Sequence, residues 1–179
     1  MKLFRTLTLC GLSALSFFGA SCASTPYPDI VVESEASTEA NFDGYSSYAW
    51  VAAAAAIRDP DGTWAIPDLD IGAEIMFLTN QELRGRGLSE VAADPDLLVM
   101  YGVGIDMKSI DAVVDEEAGT TSLKEVPKGG VVIIVSDAKT RRVVWTGSAE
   151  ANLLEQPSEE LGKKRMGYAI SAMFKKSPL

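Results

Sequence analysis

The chain has no histidine at all, and its only two cysteines, Cys10 and Cys22, fall within the first 22 of 179 residues. Without histidine there is neither a Ser-His-Asp nor a Cys-His nucleophile arrangement, and no Cys/His zinc site. Carboxylate, hydroxyl and lysine chemistry remain. Long apolar runs are scarce too. The longest, residues 7–18, is shorter than the roughly 20 residues a transmembrane helix needs. Basic side chains are outnumbered, 16 against 25 acidic, for a net charge of −9. An acidic domain repels nucleic acid and anionic lipid, so neither is expected as a partner through charge.

What is present begins with a leader. Lys2 and Arg5 make a short basic start, the apolar stretch follows, and Gly19, Ala20 and Ser21 are small. That is the plan of a signal peptide. Gly19-Ala20-Ser21-Cys22 resembles a bacterial lipobox, in which the cysteine is acylated and becomes the new N-terminus. Gly19 stands where leucine is usual. The alternative is cleavage by the general signal peptidase at Ala20 or Ala23, with Cys22 incidental. Ala23 occupies the position where aspartate would, by the same resemblance, favour the inner membrane, so the resemblance implies the outer membrane. Two or more acyl chains hold a protein stably, whereas one holds it only marginally. Cleavage before Cys22 removes Lys2 and Arg5, leaving 14 basic side chains against 25 acidic ones, a net of −11. It also leaves a single cysteine, so no internal disulfide can form and the fold rests on its core.

The expected organisation is therefore a signal peptide over residues 1–21, a lipidated cysteine with a short tether over 22–28, and one domain over 29–179. Residues 29–35 carry adjacent β-branched side chains and read as a strand; Asn41-Phe42-Asp43-Gly44 is a turn, and 45–51 a second strand. The alanine run 52–56 fits either more strand or a helical turn. Asp59-Pro60-Asp61-Gly62 is a turn signal. Asp68 or Asp70 can then cap a helix presenting Ile71, Ile75, Leu78 and Leu83, stopped by Gly85 and Gly87. Residues 97–107 alternate cleanly, with Leu97, Val99, Tyr101, Val103, Ile105 and Met107 on one face and Gly102, Gly104 and Asp106 on the other. Residues 108–130 read as a long loop or weak hairpin. Strands at 131–136 and 142–152 flank a turn, with Trp145 directed to the core. A last helix starts at Ser158 and carries Met166, Ala169, Ile170 and Met173 as its apolar stripe. The fold class is α+β, a mainly antiparallel sheet of about five strands with two helices packed on one face, in the order β-β-α-β-β-β-α.

Three segments in this order, "NFDGYSSYAW", "DPDLLVMY" and "VVIIVSDAKTRRVVWTGSAEA", followed by a helix closing in "MFKKSP", resemble the bacterial lipoprotein family catalogued as domain of unknown function 4136. The resemblance implies a small envelope lipoprotein with an α+β domain and brings no catalytic residues. The alanine run and residues 108–130 depart from it.

Each candidate for chemistry has a plainer explanation. Asp59, Asp61, Thr63 and Asp70 have EF-hand spacing, but Trp64 replaces the glycine that the loop's sharp turn needs. Asp94 and Asp96 flank Pro95 as a turn before a strand. Asp111, Asp115, Glu116 and Glu117 read as a solvated loop. Ser136 and Lys139 match S-x-x-K without its companion motifs. No metal, cofactor or catalytic residue is expected. Tyr45, Tyr48, Trp50, Trp64 and Trp145 fit core or cross-strand packing first and a groove for a small apolar or glycan ligand second. Trp50, Trp64 and Tyr101, with the bare positions Gly102 and Gly104, form the candidate ligand or partner surface. The functional expectation is a non-enzymatic lipoprotein of the bacterial cell envelope. It would be held in the outer membrane through acyl chains on Cys22, face the periplasm, and bind or scaffold another envelope component. The alternatives are a lipid-anchored ligand module using those aromatics and, last, a carboxylate-dependent hydrolase.

Overall fold

The computed structural model describes residues 25–57, 66, 68–115 and 120–179. Eight elements follow one another: β1 (Val31–Ala36), β2 (Ser47–Ile57), α1 (Ile71–Gly85), β3 (Ser89–Glu90), β4 (Leu97–Asp115), β5 (Thr120–Asp137), β6 (Val143–Asn152) and α2 (Glu159–Phe174). They build one six-stranded sheet in the order β1-β6-β5-β4-β2-β3.

The class is α+β with two helices, as expected, but the sheet is mixed and has six strands rather than about five. β1–β6, β6–β5 and β5–β4 pair antiparallel, whereas β2 pairs parallel with both β4 and β3. The cause is α1. A helix between two neighbouring strands carries the chain back to the starting edge, so the next strand runs in the same direction. The sixth strand, β3, is two residues long and caps that edge beside Ser47 and Tyr48.

Two stretches the sequence left open are strands. The alanine run continues β2 to Ile57, paired with β4 as far as Ile105. Residues 108–130 take the hairpin alternative rather than the loop, and as a long one: β4 and β5 run on to Asp115 and Thr120. Because β2 stops opposite Ile105 and β6 stops opposite Lys128, the two strands beyond Met107 pair, among the described residues, only with each other. They form a ribbon of about nine residues per strand, roughly 30 Å long at 3.3 Å per residue.

Both helices begin where the sequence offers an oxygen. Asp70 accepts from Ala73 N at 2.9 Å and Ser158 from Leu161 N at 3.2 Å, each satisfying a backbone N–H that the first helical turn leaves free. Asp68, the other candidate cap, instead has a left-handed backbone with φ of 63°. Both helices pack on the sheet face that carries Tyr48, Leu97, Val99, Ile133, Val135 and Trp145. Ile75 and Leu83 of α1 and Ile170, Met173 and Phe174 of α2 complete this core. Trp145 is fully buried, its ring 4.7 Å from that of Phe174. Its indole N–H donates to Ser34 Oγ at 2.9 Å, which ties edge strand β1 to the core. Gly147 makes room for it: a Cβ there would lie 2.6 Å from Trp145 Cη2 and 3.0 Å from Met173 Cβ.

Candidate functional site

At the other end of the same helix–sheet interface the side chains are small. On β5 and β6, Gly129, Ala149 and Ala151 face the helices, and α2 answers with Gly162 and Ala169. Large side chains elsewhere set the spacing of helices and sheet, so these positions cannot fill it. A cavity of about 160 Å³ remains, walled by Ile71 and Ile75 of α1, Val103 and Val131 of the sheet, and Met166 of α2, with Ile30 and Leu153 at its margin. At two of the glycines an added Cβ would push aside the terminal methyl of a neighbouring side chain. A Cβ on Gly129 would stand 2.8 Å from Leu153 Cδ2, and one on Gly162 would stand 2.6 Å from Ile66 Cδ1.

The rim carries an ion pair. Arg165 donates to both carboxylate oxygens of Asp29, one bond measuring 3.1 Å, and to the Asn152 carbonyl at 3.2 Å. The Arg165 hydrogen bond, helped by its charge and opposed by burial, holds the Asp29 carboxyl below the usual carboxylate range. Arg165 also lies over the Tyr27 ring at 5.5 Å, and Tyr27 meets Tyr168 edge-on at 5.4 Å. The segment leading back toward Cys22 is thus clasped against α2 beside the cavity mouth, and Ile30 at its end is part of the wall.

The second sheet face differs. Leu98, Met100, Val132 and Ile134 alternate with the core residues on the side away from α1 and α2; Leu98 is buried and the other three are half-buried. Val51, at a bulge in β2, is 48% exposed, and Val31 on edge strand β1 is 58% exposed. Gly102 and Gly104 continue this face, and a Cβ on Gly104 would meet nothing within 4 Å.

Of the predicted surface residues, the structure brings Trp50 and Tyr101 together and places them on the helix face. Their rings meet edge-on at 6.0 Å, the Trp50 indole N–H donates to Asn80 Oδ1 at 3.0 Å, and Tyr48 OH donates to the same oxygen at 2.8 Å. Neither ring lines the cavity. Gly102 and Gly104 lie at positions of the opposite face, although Gly104 also contributes to the lining of the cavity, so the four described positions do not form one surface. Trp64 and Cys22 lie outside the described residues, as do Asp59, Asp61, Thr63, Glu116 and Glu117.

The acids of the turns act as fasteners. One oxygen of Asp96 accepts from the backbone N–H and hydroxyl of both Ser46 and Ser47, at 2.8 to 3.1 Å, joining the starts of β2 and β4. Those bonds, the Ser46 backbone N–H foremost, lower the Asp96 pKa. Asp137 accepts from Lys139 N, Thr140 N and Tyr45 OH, and its pKa is lowered chiefly by the Thr140 backbone. Burial, with the Asp137 bond and its charge, raises the Tyr45 pKa. Among the described residues no group of three or more His, Cys, Asp or Glu could hold a metal ion, and no helix is long and apolar enough to cross a membrane.

The cavity escaped the sequence reading because it arises from five small residues on three elements. The available signal was the recurrence of Gly and Ala at helix-facing positions of β5, β6 and α2, where Val, Ile and Leu would be expected.

The architecture has counterparts among solved structures. A DUF4136 family protein from Bacteroides thetaiotaomicron is similar at 10% identity and a TM-score of 0.52, over 84% of this chain and 96% of that one. A PDZ domain protein from Parabacteroides distasonis is similar at 17% identity and a TM-score of 0.51; the match covers 84% of this chain but 36% of that protein, so this chain spans about a third of its length. A lipoprotein from Neisseria meningitidis is matched at 13% identity and a TM-score of 0.36, over 74% of this chain and 99% of that one. No curated protein matches the sequence. At such identities the first two likenesses are of fold alone. The sequence itself goes further, since the profile of one family matches residues 32–179. The chain belongs to the family described as Domain of unknown function (DUF4136).

Proposed function

We propose that this protein is a non-enzymatic lipoprotein of the bacterial envelope, anchored in the outer membrane through Cys22 and facing the periplasm, that binds another envelope component on the open face of its sheet. The observation that carries the binding role is the apolar sheet face turned away from α1 and α2, where exposed Val31 and Val51 border the half-buried Met100, Val132 and Ile134. Contiguous apolar surface of this kind marks interaction sites in soluble domains. The anchoring role rests on the leader and on the partial lipobox ending at Cys22. The absence of histidine and the use of Asp96 and Asp137 as turn fasteners support a binding protein over a hydrolase.

Two experiments test this reading. Fractionation of the Cys22→Ala variant beside wild type is expected to move the protein from the membrane to the soluble periplasmic fraction; identical fractionation would overturn the anchor. Photo-crosslinking in cells from Met100 and Ile134 is expected to recover the same partner from both positions, and recovery to be lost with Ile134→Lys. Background adducts only, at both positions, would remove the binding role.

A further inference from the structure

The cavity beside Arg165 is independent of that open face, because it lies on the helix side of the sheet. We infer that it is a binding site for one unbranched alkyl chain, about six carbons of it, belonging to a single-chain amphiphile whose head group stays outside.

Wall chemistry supplies the first argument. Ile30, Ile71, Ile75, Val103, Val131 and Met166 are aliphatic or thioether side chains, and among the described residues no aromatic ring lines the space, so these walls offer a sugar or a base nothing to stack upon. Of the two charged residues in the lining, Glu150 and Arg165, the cation is held bidentate by Asp29. A ligand carboxylate would have to displace that bond, so charge belongs outside and hydrocarbon inside. An apolar void of about 150 Å³ stays dry and takes a molecule of benzene's size, and at about 160 Å³ this one has room for about six carbons in a single chain. A two-chain lipid does not fit. Position supplies the second argument. Ile30 belongs to the wall, and the Tyr27 clasp puts the mouth on the side from which the chain leads toward Cys22. The inference thus leans on the anchored reading only for where the mouth faces, not for whether the chain binds.

The occupant comes from the aqueous phase rather than from Cys22. An acyl chain on Cys22 that folded back into the cavity would leave the bilayer, losing as many methylene contacts as it gained. An amphiphile monomer arriving from water gains the full burial. At the usual value per buried methylene, each added carbon strengthens binding about fourfold while it fits inside.

The test uses the full chain carrying Cys22→Ala, titrated calorimetrically with 1-alkanols from butanol to decanol. Affinity should climb about fourfold per carbon to about hexanol or heptanol and then level off. Ala151→Leu and, separately, Ala169→Leu on the same background should weaken octanol binding at least tenfold while circular dichroism stays unchanged. A flat dependence on chain length, or octanol binding undiminished in both filled variants, would overturn the site. Lipidated wild type in bilayers should bind octanol as the Cys22→Ala chain does. If it refuses the probe while the variant binds, the protein's own acyl chain is the occupant and the inference is wrong. Failure of the anchor is read separately by fractionation, which leaves the titration of the Cys22→Ala chain unaffected.

Discussion

One helix–sheet interface is built in two ways. At one end Tyr48, Trp145 and Phe174 fill the space between sheet and helices, each fully buried. At the other, Gly129, Ala149, Ala151, Gly162 and Ala169 leave about 160 Å³ open. The same two helices and the same strands serve both ends, so side-chain volume alone makes the difference. Close packing stabilises the first end, where every missing methylene costs. The second end gives up some of that stability and gains an apolar recess open to solvent on one side, which suits it to a ligand.

The largest test of this contrast is Trp145→Ala. It removes the central ring of the packed end, its contact with Phe174 and the hydrogen bond to Ser34. A loss of about 3–5 kcal/mol is expected in denaturant unfolding, with β1 loosened first in hydrogen exchange. Gly147→Ala tests the same end from the other side. The added Cβ meets Trp145 at 2.6 Å and the backbone-proximal Cβ of Met173 at 3.0 Å, so overpacking should cost about 1–3 kcal/mol by the same measurement. If either variant is neutral, the packed end is looser than its geometry implies.

Next in size is the ion pair that closes the cavity end. Asp29→Asn leaves Arg165 without its bidentate partner, in a site where the two side chains are 15% and 24% exposed. The partial exposure tempers the effect to about 1–2 kcal/mol at neutral pH. The folded pKa of Asp29 lies below its ordinary value of 3.8, so the contribution is fully present above that value and is lost as pH falls through the lower folded one. Denaturant curves for wild type and variant should therefore differ at pH 7 and approach each other only as pH falls below 3.8. A separation that does not shrink at all below that pH would mean that the pair contributes through something other than the Asp29 charge.

Much of this architecture was legible in the sequence. Alternation at 97–103 placed Val99 and Tyr101 on the helix face and Gly102 and Gly104 opposite. Trp145 was expected in the core, Asp68 or Asp70 as the cap of the first helix, of which the structure uses Asp70, and the last helix was expected to start at Ser158. What escaped has physical reasons. The direction of β4 relative to β2 depends on the path of α1 through space, which local pattern does not encode, so the parallel pairings were missed. The alanine run carries no periodicity, and its strand state comes from pairing with β4. The ribbon beyond Met107 reads as a loop because charged residues interrupt its apolar ones; its partner across the hairpin is what makes it a strand. The aromatic set pointed to a groove, yet Trp50 and Tyr101 spend their surfaces on each other and on Asn80. Small residues are silent in any hydrophobicity pattern, which is why the cavity went unread.

The smallest expected effect separates the two ends most sharply, because its sign reverses. Ala151→Leu adds bulk on a helix-facing position, as Gly147→Ala does four residues earlier on the same strand. At Gly147 the new atoms strike Trp145 and Met173. At Ala151 they enter the void, and filling a void of this kind raises stability by about 0.5 kcal/mol or slightly more. Urea unfolding of the two variants beside wild type reads the difference directly, with one midpoint falling and the other rising. Should Ala151→Leu lower the midpoint as Gly147→Ala does, the space between Val131 and Met166 is not open to a side chain. An alkyl ligand would then be excluded by the same contacts. A rise instead would mean that the cavity persists in solution at a measurable cost to folding, which a domain selected for packing alone would have no reason to bear.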